Sequence, residues 1–209
     1  MAERDERELI AAVKRGDLDA LGRLLKRYEK RLYNVVLRMV SDREDAAELT
    51  QDAMLKIVQH IQDFRGQSAL STWMIRIAMN LSISHLRKRQ LRQTASLDQT
   101  APGDDQGTSL RQQLADQREP SPESNVEKQE MLRHLAAALD SVEEDFRAVL
   151  VLRDIDQMEY QQIAEVLAIP VGTVKSRLFR ARLALRRTML ARVQTGGERE
   201  QVVKEQTHG

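Results

Sequence analysis

Apolar residues recur at intervals of three and four through two stretches of this chain, and between them the rhythm disappears. In the first stretch, residues 6 to 92, Leu9, Ala12 and Val13 are followed by Leu18, Leu21, Leu24 and Leu25, then by Leu32, Val35, Val36, Met39 and Val40. No alternating strand pattern accompanies them. From Gln93 to Asn125 come three of the four prolines (Pro102, Pro120 and Pro122), Gly103, Gly107 and many Ser, Asp and Gln, without an aromatic residue. Such a stretch cannot bury enough apolar area to offset its chain entropy, so it reads as a flexible linker. The prediction is an all-α protein of two small helical domains, residues 1–92 and 129–190, joined by a linker over 93–128. Residues 191–209 match nothing usable and read as a tail for which disorder is one outcome.

The punctuation inside each stretch refines the elements. Gly16-Asp17 separates the first two helices, and Ser41-Asp42 can cap a third, with Glu44 three beyond Ser41 as a capping box. That helix is expected to end near Gln62. Phe64-Arg65-Gly66-Gln67-Ser68 interrupts the period, and a fourth helix runs from near Ser71 to about Arg92. Beyond the linker, Met131, Leu135 and Leu139 end at Asp140. Ser141 with Glu144 makes a second capping box, and Phe146, Val149, Leu150 and Leu152 line the next helix. There is no internal repeat.

Composition removes several function classes. Among 209 residues there is no cysteine, which excludes disulfides, thiolate metal sites and cysteine nucleophiles and fits a reducing cytoplasm. Hydrophobic residues make 41% and aromatics 3%, a balance of Leu, Ile, Val, Ala and Met that suits helical cores. The charged N-terminus has no apolar signal core, and nowhere do about 18 apolar residues run together, so no membrane insertion is expected. His60, His85, His134 and His208 are scattered, and neither His-Glu-x-x-His nor Gly-x-Ser-x-Gly occurs. Lys175-Ser176 lacks the glycine-rich loop of a P-loop. No catalytic residue, metal or cofactor is expected.

A net charge of +1 conceals a segregation. From Val174 to Arg192, Lys175, Arg177, Arg180, Arg182, Arg186, Arg187 and Arg192 stand with no acid, a local +7. Residues 127 to 165 hold ten acids against four bases, a local −6. Within the same region Tyr160 to Leu167 reads as a short helix, Ala168 to Gly172 as a tight turn, and the residues from near Thr173 as a longer basic helix. This is a helix-turn-helix layout, whose second helix enters the major groove. Val174, Leu178, Ala181 and Leu185 form an apolar stripe facing Ile163 and Leu167. Lys175, Ser176, Phe179 and Arg180 project from another face, where cations reach guanine or phosphate and Phe179 can meet a thymine methyl. A merely solvated basic helix would intersperse signs, because like charges at i and i+4 repel.

The string from Tyr160 to Arg182, above all Gly172-Thr173-Val174-Lys175-Ser176-Arg177-Leu178-Phe179-Arg180-Ala181-Arg182, resembles region 4 of extracytoplasmic-function sigma factors. Asp63-Phe64-Arg65-Gly66 with Ser71-Thr72-Trp73-Met74-Ile75-Arg76-Ile77-Ala78-Met79-Asn80 resembles region 2 of the same family. The resemblance covers roughly residues 7–92 and 129–190. It implies a factor that binds core RNA polymerase through the clamp helices of the largest subunit and the flap region, recognises promoter DNA at −35 and −10, and answers to an anti-sigma factor. By position, Thr173, Lys175, Ser176, Phe179 and Arg180 would read the −35 duplex, and Arg177, Arg182, Arg87 and Lys88 would hold phosphates. Phe64, Arg76 and Asn80 would take the melted −10 strand, and Asp45, Glu48, Gln51, Asp52 and Lys56 would dock on polymerase. Arg89 and Arg92 extend the basic track.

From the residues alone some of these readings have rivals. The Asp45 to Lys56 stripe also fits a solvated helix face, Phe64 also fits a loop anchor in the core, and Trp73 beside Ile77 fits the core better than DNA. Three positions depart from the family pattern: Val142 replaces a proline, Gln162 a glutamate, and Ala168 a turn residue that is often glycine. A left-handed conformation there would cost alanine about 1 kcal/mol. The rival function is a helix-turn-helix regulator that binds duplex operator DNA without polymerase. A repressor has no need of the Phe64 to Asn80 segment.

Overall fold

The computed structural model describes the backbone of residues 2–97 and 134–206 and the side chains of 5–92, 94 and 134–191. Most of the expected linker therefore lies outside the described residues. Four helices form the first unit: α1 (Ala2–Lys14), α2 (Leu18–Val40), α3 (Arg43–His60) and α4 (Leu70–Leu97). The second contains α5 (described over 134–140), α6 (Glu144–Leu150), α7 (Tyr160–Leu167) and α8 (Val171–Gln206). Among the described residues there is no strand.

Local chemistry explains the boundaries. Gly16 takes φ +90°, a conformation open to glycine, and Asp17 then caps α2 by accepting from the Ala20 N–H at 2.9 Å. At the next junction the expected Ser41 capping box is replaced by a division of labour. Ser41 adopts φ 63° and closes α2, its N–H donating to Leu37, while Asp42 caps α3 by accepting from the Asp45 N–H. The second expected box also fails, because Ser141 Oγ donates back to the Ala138 carbonyl and the α6 N-cap is Glu143. A box-like bond forms instead before α7, where Gln162 Oε1 accepts from the Glu159 N–H at 2.9 Å. Gln162, a departure from the family pattern, can accept there as a glutamate would.

The α2 stripe of Leu24, Leu32, Val35, Val36 and Met39 packs with Ala46, Ala53 and Ile57 of α3 and Leu70, Met74, Ile75 and Met79 of α4. In the second unit Val149, Leu152, Ile163, Val174, Leu178 and Ala181 bury together. Fully burying such a side chain contributes about 1.5–3 kcal/mol. After α6 the chain widens into a π-helical turn, Val151–Ile155. The two units do not stand apart: α7 packs along α4, and the Val151–Ile155 turn meets α2. At the far end α8 continues as helix to Gln206, through most of the expected tail, and 207–209 lie outside the described residues. No proline follows Pro170 to stop it.

Candidate nucleic-acid interface

The helix-turn-helix has the boundaries that the apolar spacing implies, except that α8 begins two residues early, at Val171. Ala168 makes the turn at φ 53°, ψ 44°, and Ile169 N–H donates to the Ala164 carbonyl. The Pro170 carbonyl accepts from the Thr173 and Val174 amides at 2.9 and 3.1 Å, which starts α8. Val174, Leu178 and Ala181 are buried against Ile163 and Val166, so the helix cannot rotate without exposing its stripe. Lys175, Ser176, Phe179 and Arg180 consequently face solvent and Thr173 is half-buried. Phe179 is 72% exposed, a large ring with no covering protein surface. Lys175 Nζ lies 6.0 Å from the Tyr160 ring centre, and the Arg153 guanidinium lies 4.9 Å from it.

The flanking arginines are arranged differently, each against a carboxylate of the acidic segment. Arg177 meets Asp145 at 2.8 Å. Arg182 grips both oxygens of Asp154, Nε at 3.0 Å, a bond that raises the guanidinium pKa above its ordinary value. Arg87 of α4 reaches Glu144 at 3.1 Å across the two units. These three were expected to hold phosphate, and the carboxylates stand in the same geometric relation to them. Lys88 is exposed.

In the first unit the residues expected at −10 separate. Asn80 is exposed on α4. Phe64, by contrast, is 7% exposed, its ring 5.4 Å from that of half-buried Trp73, so it packs as a loop anchor against the core. Its carbonyl also accepts from Lys14 Nζ. Arg76 is engaged too: Nε and Nη2 donate to the Glu165 main-chain oxygen at 3.0 and 2.6 Å, near the C-terminal end of α7. On α3, Glu48, Gln51, Asp52 and Lys56 are exposed along one side. Asp45 turns inward, bonded to His85 Nε2 at 3.1 Å and 3.7 Å from Arg89.

Sequence reasoning missed Arg31 and Arg147. Arg31 makes a two-pronged pair with Asp156 at 2.8 Å for each bond, and this hydrogen bond raises its pKa. Arg147, buried, donates to the Met39, Asp140 and Val142 carbonyls, and burial lowers its pKa. Among the described residues no group of three His, Asp or Glu side chains could hold a metal, and no helix is long and apolar enough to cross a membrane.

Residues 24–92 match the family model for sigma-70 region 2, and residues 132–185 match that for sigma-70 region 4. The RNA polymerase sigma-H factor of Pseudomonas aeruginosa is 33% identical over 187 residues, 88% of this chain and 94% of that protein. The chain belongs to the extracytoplasmic-function sigma factors. The Bacillus subtilis factor SigW is 33% identical over 86% of the chain and 94% of its own length, and the Escherichia coli K12 sigma-E factor 32% over 85% and 90%. Two solved structures share the fold. CnrH, in complex with the cytosolic domain of CnrY, has a TM-score of 0.61 at 21% identity, covering 88% of this chain and 97% of that one. RpoE of Bartonella quintana, in complex with the anti-sigma factor NepR, has a TM-score of 0.59 at 24% identity, covering 80% and 95%. Sigma factors are transcription initiation factors and not enzymes by themselves. This one binds core RNA polymerase, directs it to promoters and helps open the DNA.

Proposed function

We propose that this sigma factor divides its task between the two units: residues 129–190 grip the −35 duplex, and residues 1–92 hold polymerase and capture the melted −10 strand. The observation that carries the −35 half is the outward face of α8. Lys175, Ser176, Phe179 and Arg180 are presented on a helix locked by its buried stripe. Thr173 lies at the start of that helix, and Arg177 and Arg182 flank the face as phosphate contacts. A groove-reading helix needs this combination of rigidity and unshielded polar and apolar ends.

At −10, Asn80 is the base-contacting candidate, with Arg76 and Arg87 available to the backbone once their present partners release them, and Lys88 beside them. Phe64 supports the loop from below. Capturing an unstacked base returns the few kcal/mol that unstacking costs, so melting needs no nucleotide hydrolysis. The open side of α3, with Glu48, Gln51, Asp52 and Lys56, is the polymerase-docking face, and Asp45 orients its first turn through His85. An anti-sigma factor that covers these faces fits the pattern of the solved neighbours. A cytoplasmic site of action follows from partnership with polymerase.

Run-off transcription with core polymerase on a candidate promoter tests the reading. Initiation that depends on this protein is expected, whereas duplex binding without any polymerase-dependent transcript would favour a regulator.

A further inference from the structure

Helix α1 lies wholly before residues 24–92, the span that matches the region 2 family model, yet it is fastened to that unit at both ends. Near its start Asp5 meets Arg27 of α2 at 3.3 Å, and Glu6 accepts from the hydroxyl of buried Tyr28. Near its end Val13 is 3% exposed, and Leu9, Ile10 and Ala12 pack against the same core. Glu6, Leu9, Ile10 and Val13 share one face at helical spacing, so α1 cannot rotate without losing the Tyr28 bond and exposing Val13 together. Lys14, its last residue, is exposed, and its Nζ donates to the Phe64 carbonyl, 50 residues along the chain.

Phe64 is the last buried residue before an open loop. Arg65, Gly66 and Gln67 are exposed, Gly66 at φ +70°, and the chain is not buried again until Leu70 opens α4. The Phe64 ring is fixed against Trp73, and the Phe64 N–H donates to the Ile61 carbonyl at 3.3 Å. Neither contact sets the torsion on the carbonyl side of the residue, ψ 112°. That torsion decides where residues 65–69 go, because the peptide plane between Phe64 and Arg65 turns with it. The bond from Lys14 is what holds the plane, and a charged donor holds a carbonyl more firmly than a neutral one.

We propose that Lys14 is a positioning residue for the 65–69 loop: by holding the Phe64 carbonyl it fixes the path of the loop and presents it to the melted −10 strand already in shape. The strand half rests on the proposed −10 capture by residues 1–92; the bracing of the loop does not. A loop ordered beforehand loses little conformational entropy on binding, so the brace adds affinity for a fitting strand without touching it. A plain phosphate contact would act differently. It would strengthen every strand alike and enter the salt dependence, whereas a brace favours the strand that fits.

Lys14→Met keeps the apolar stem and removes the donor, Lys14→Arg keeps a donor, and Lys14→Gln stands in should Lys14→Met lose helical circular dichroism. Hydrogen–deuterium exchange of the full-length chain reads the brace without DNA. Amides of residues 65–69 are expected to exchange faster in Lys14→Met and close to the parent rate in Lys14→Arg. In complex with core polymerase, each form is then titrated with non-template single strands that carry a matched or a scrambled −10 sequence. Preference for the matched strand is expected to fall about fivefold in Lys14→Met, the worth of one hydrogen bond, at an unchanged salt slope. Lys14→Arg should restore it. Unchanged loop exchange in Lys14→Met overturns the brace, and faster exchange with undiminished preference overturns its part in strand capture. Equal weakening toward both strands with a shallower salt slope makes Lys14 a phosphate contact and overturns the proposal. Absence of any preference in the parent strikes at −10 capture itself and leaves the exchange result standing.

Discussion

Arg147 of α6 donates from Nη1 to the main-chain oxygen of Met39, 2.7 Å away near the end of α2 and 108 residues earlier in the chain. Its other terminal nitrogen serves the Asp140 carbonyl, which ends the described part of α5, and the Val142 carbonyl at 3.1 Å. A cation is thereby set against the negative ends of two helices, where the dipole favours it. Arg147→Met keeps the bulk and abandons the carbonyls. Its expected loss is about 2–4 kcal/mol in urea denaturation. Arg147→Lys, with a charge but no fork, should fall between. Stability unchanged in Arg147→Met would refute the role.

Ala168 closes the helix-turn-helix at φ 53°, where a Cβ is strained. Ala168→Gly removes the strain at the expense of some unfolded-chain entropy and should raise stability by about 1 kcal/mol. Affinity for −35 duplex should not change, since the buried stripe of α8 sets the helix orientation. A drop in thermal midpoint would contradict this account.

Tyr28 is buried in α2 and donates to Glu6; burial first, and the bond second, push its pKa from 10.0 up to about 12. Below pH 10 the phenol is protonated in folded and unfolded chain alike, and the bond contributes fully. As pH climbs toward 12 the unfolded chain loses the proton first, so stability falls across that window. Tyr28→Phe should cost about 1 kcal/mol at neutral pH and lack this alkaline loss. Parallel stability profiles of parent and variant from pH 9 to 12 would disprove it.

Lys175→Ala and Arg180→Ala should each weaken −35 duplex binding by about 1–3 kcal/mol per lost base contact and relax sequence preference. Titrations against matched and scrambled duplexes measure both effects. Asp154→Asn should instead steepen the salt dependence of binding by about one unit in log–log slope, because Arg182 is freed for phosphate. An unaltered slope would mean that Arg182 never reaches the DNA backbone.

Asn80→Ala leaves α8 untouched, so −35 binding should persist while promoter opening slows. Permanganate reactivity of −10 thymines in the polymerase complex reads that step. Normal reactivity would remove Asn80 from the site.

The helix-turn-helix could be read from the sequence because its information is local: Val174, Leu178 and Ala181 repeat at helical spacing, and the cations face away from them. The capping boxes were misplaced for an equally local reason. Ser41 and Asp42 carry similar side-chain oxygens, and only the left-handed turn at Ser41 decides which residue caps α3. Phe64 was ambiguous because an aromatic residue in a loop suits a base or a core, and burial is a tertiary property. The pairs Arg31–Asp156 and Arg76–Glu165 leave no pattern along the chain at all. The −6 of residues 127–165 was visible as charge, but its partners became visible only in the folded chain, some on α8 and others on α2 and α4.

The carboxylates of Asp145, Asp154 and Glu144 act on their arginines as resident imitations of phosphate. On the proposed phosphate roles of Arg177, Arg182 and Arg87, DNA displaces one anion with another there, an exchange of like for like that would yield little net affinity. At Lys175 and Arg180, where no carboxylate among the described residues is bonded, contact with a base is a full gain. On that proposal the factor would discriminate: its indiscriminate grip on any duplex would be held down by its own acids, and what remains would depend on sequence.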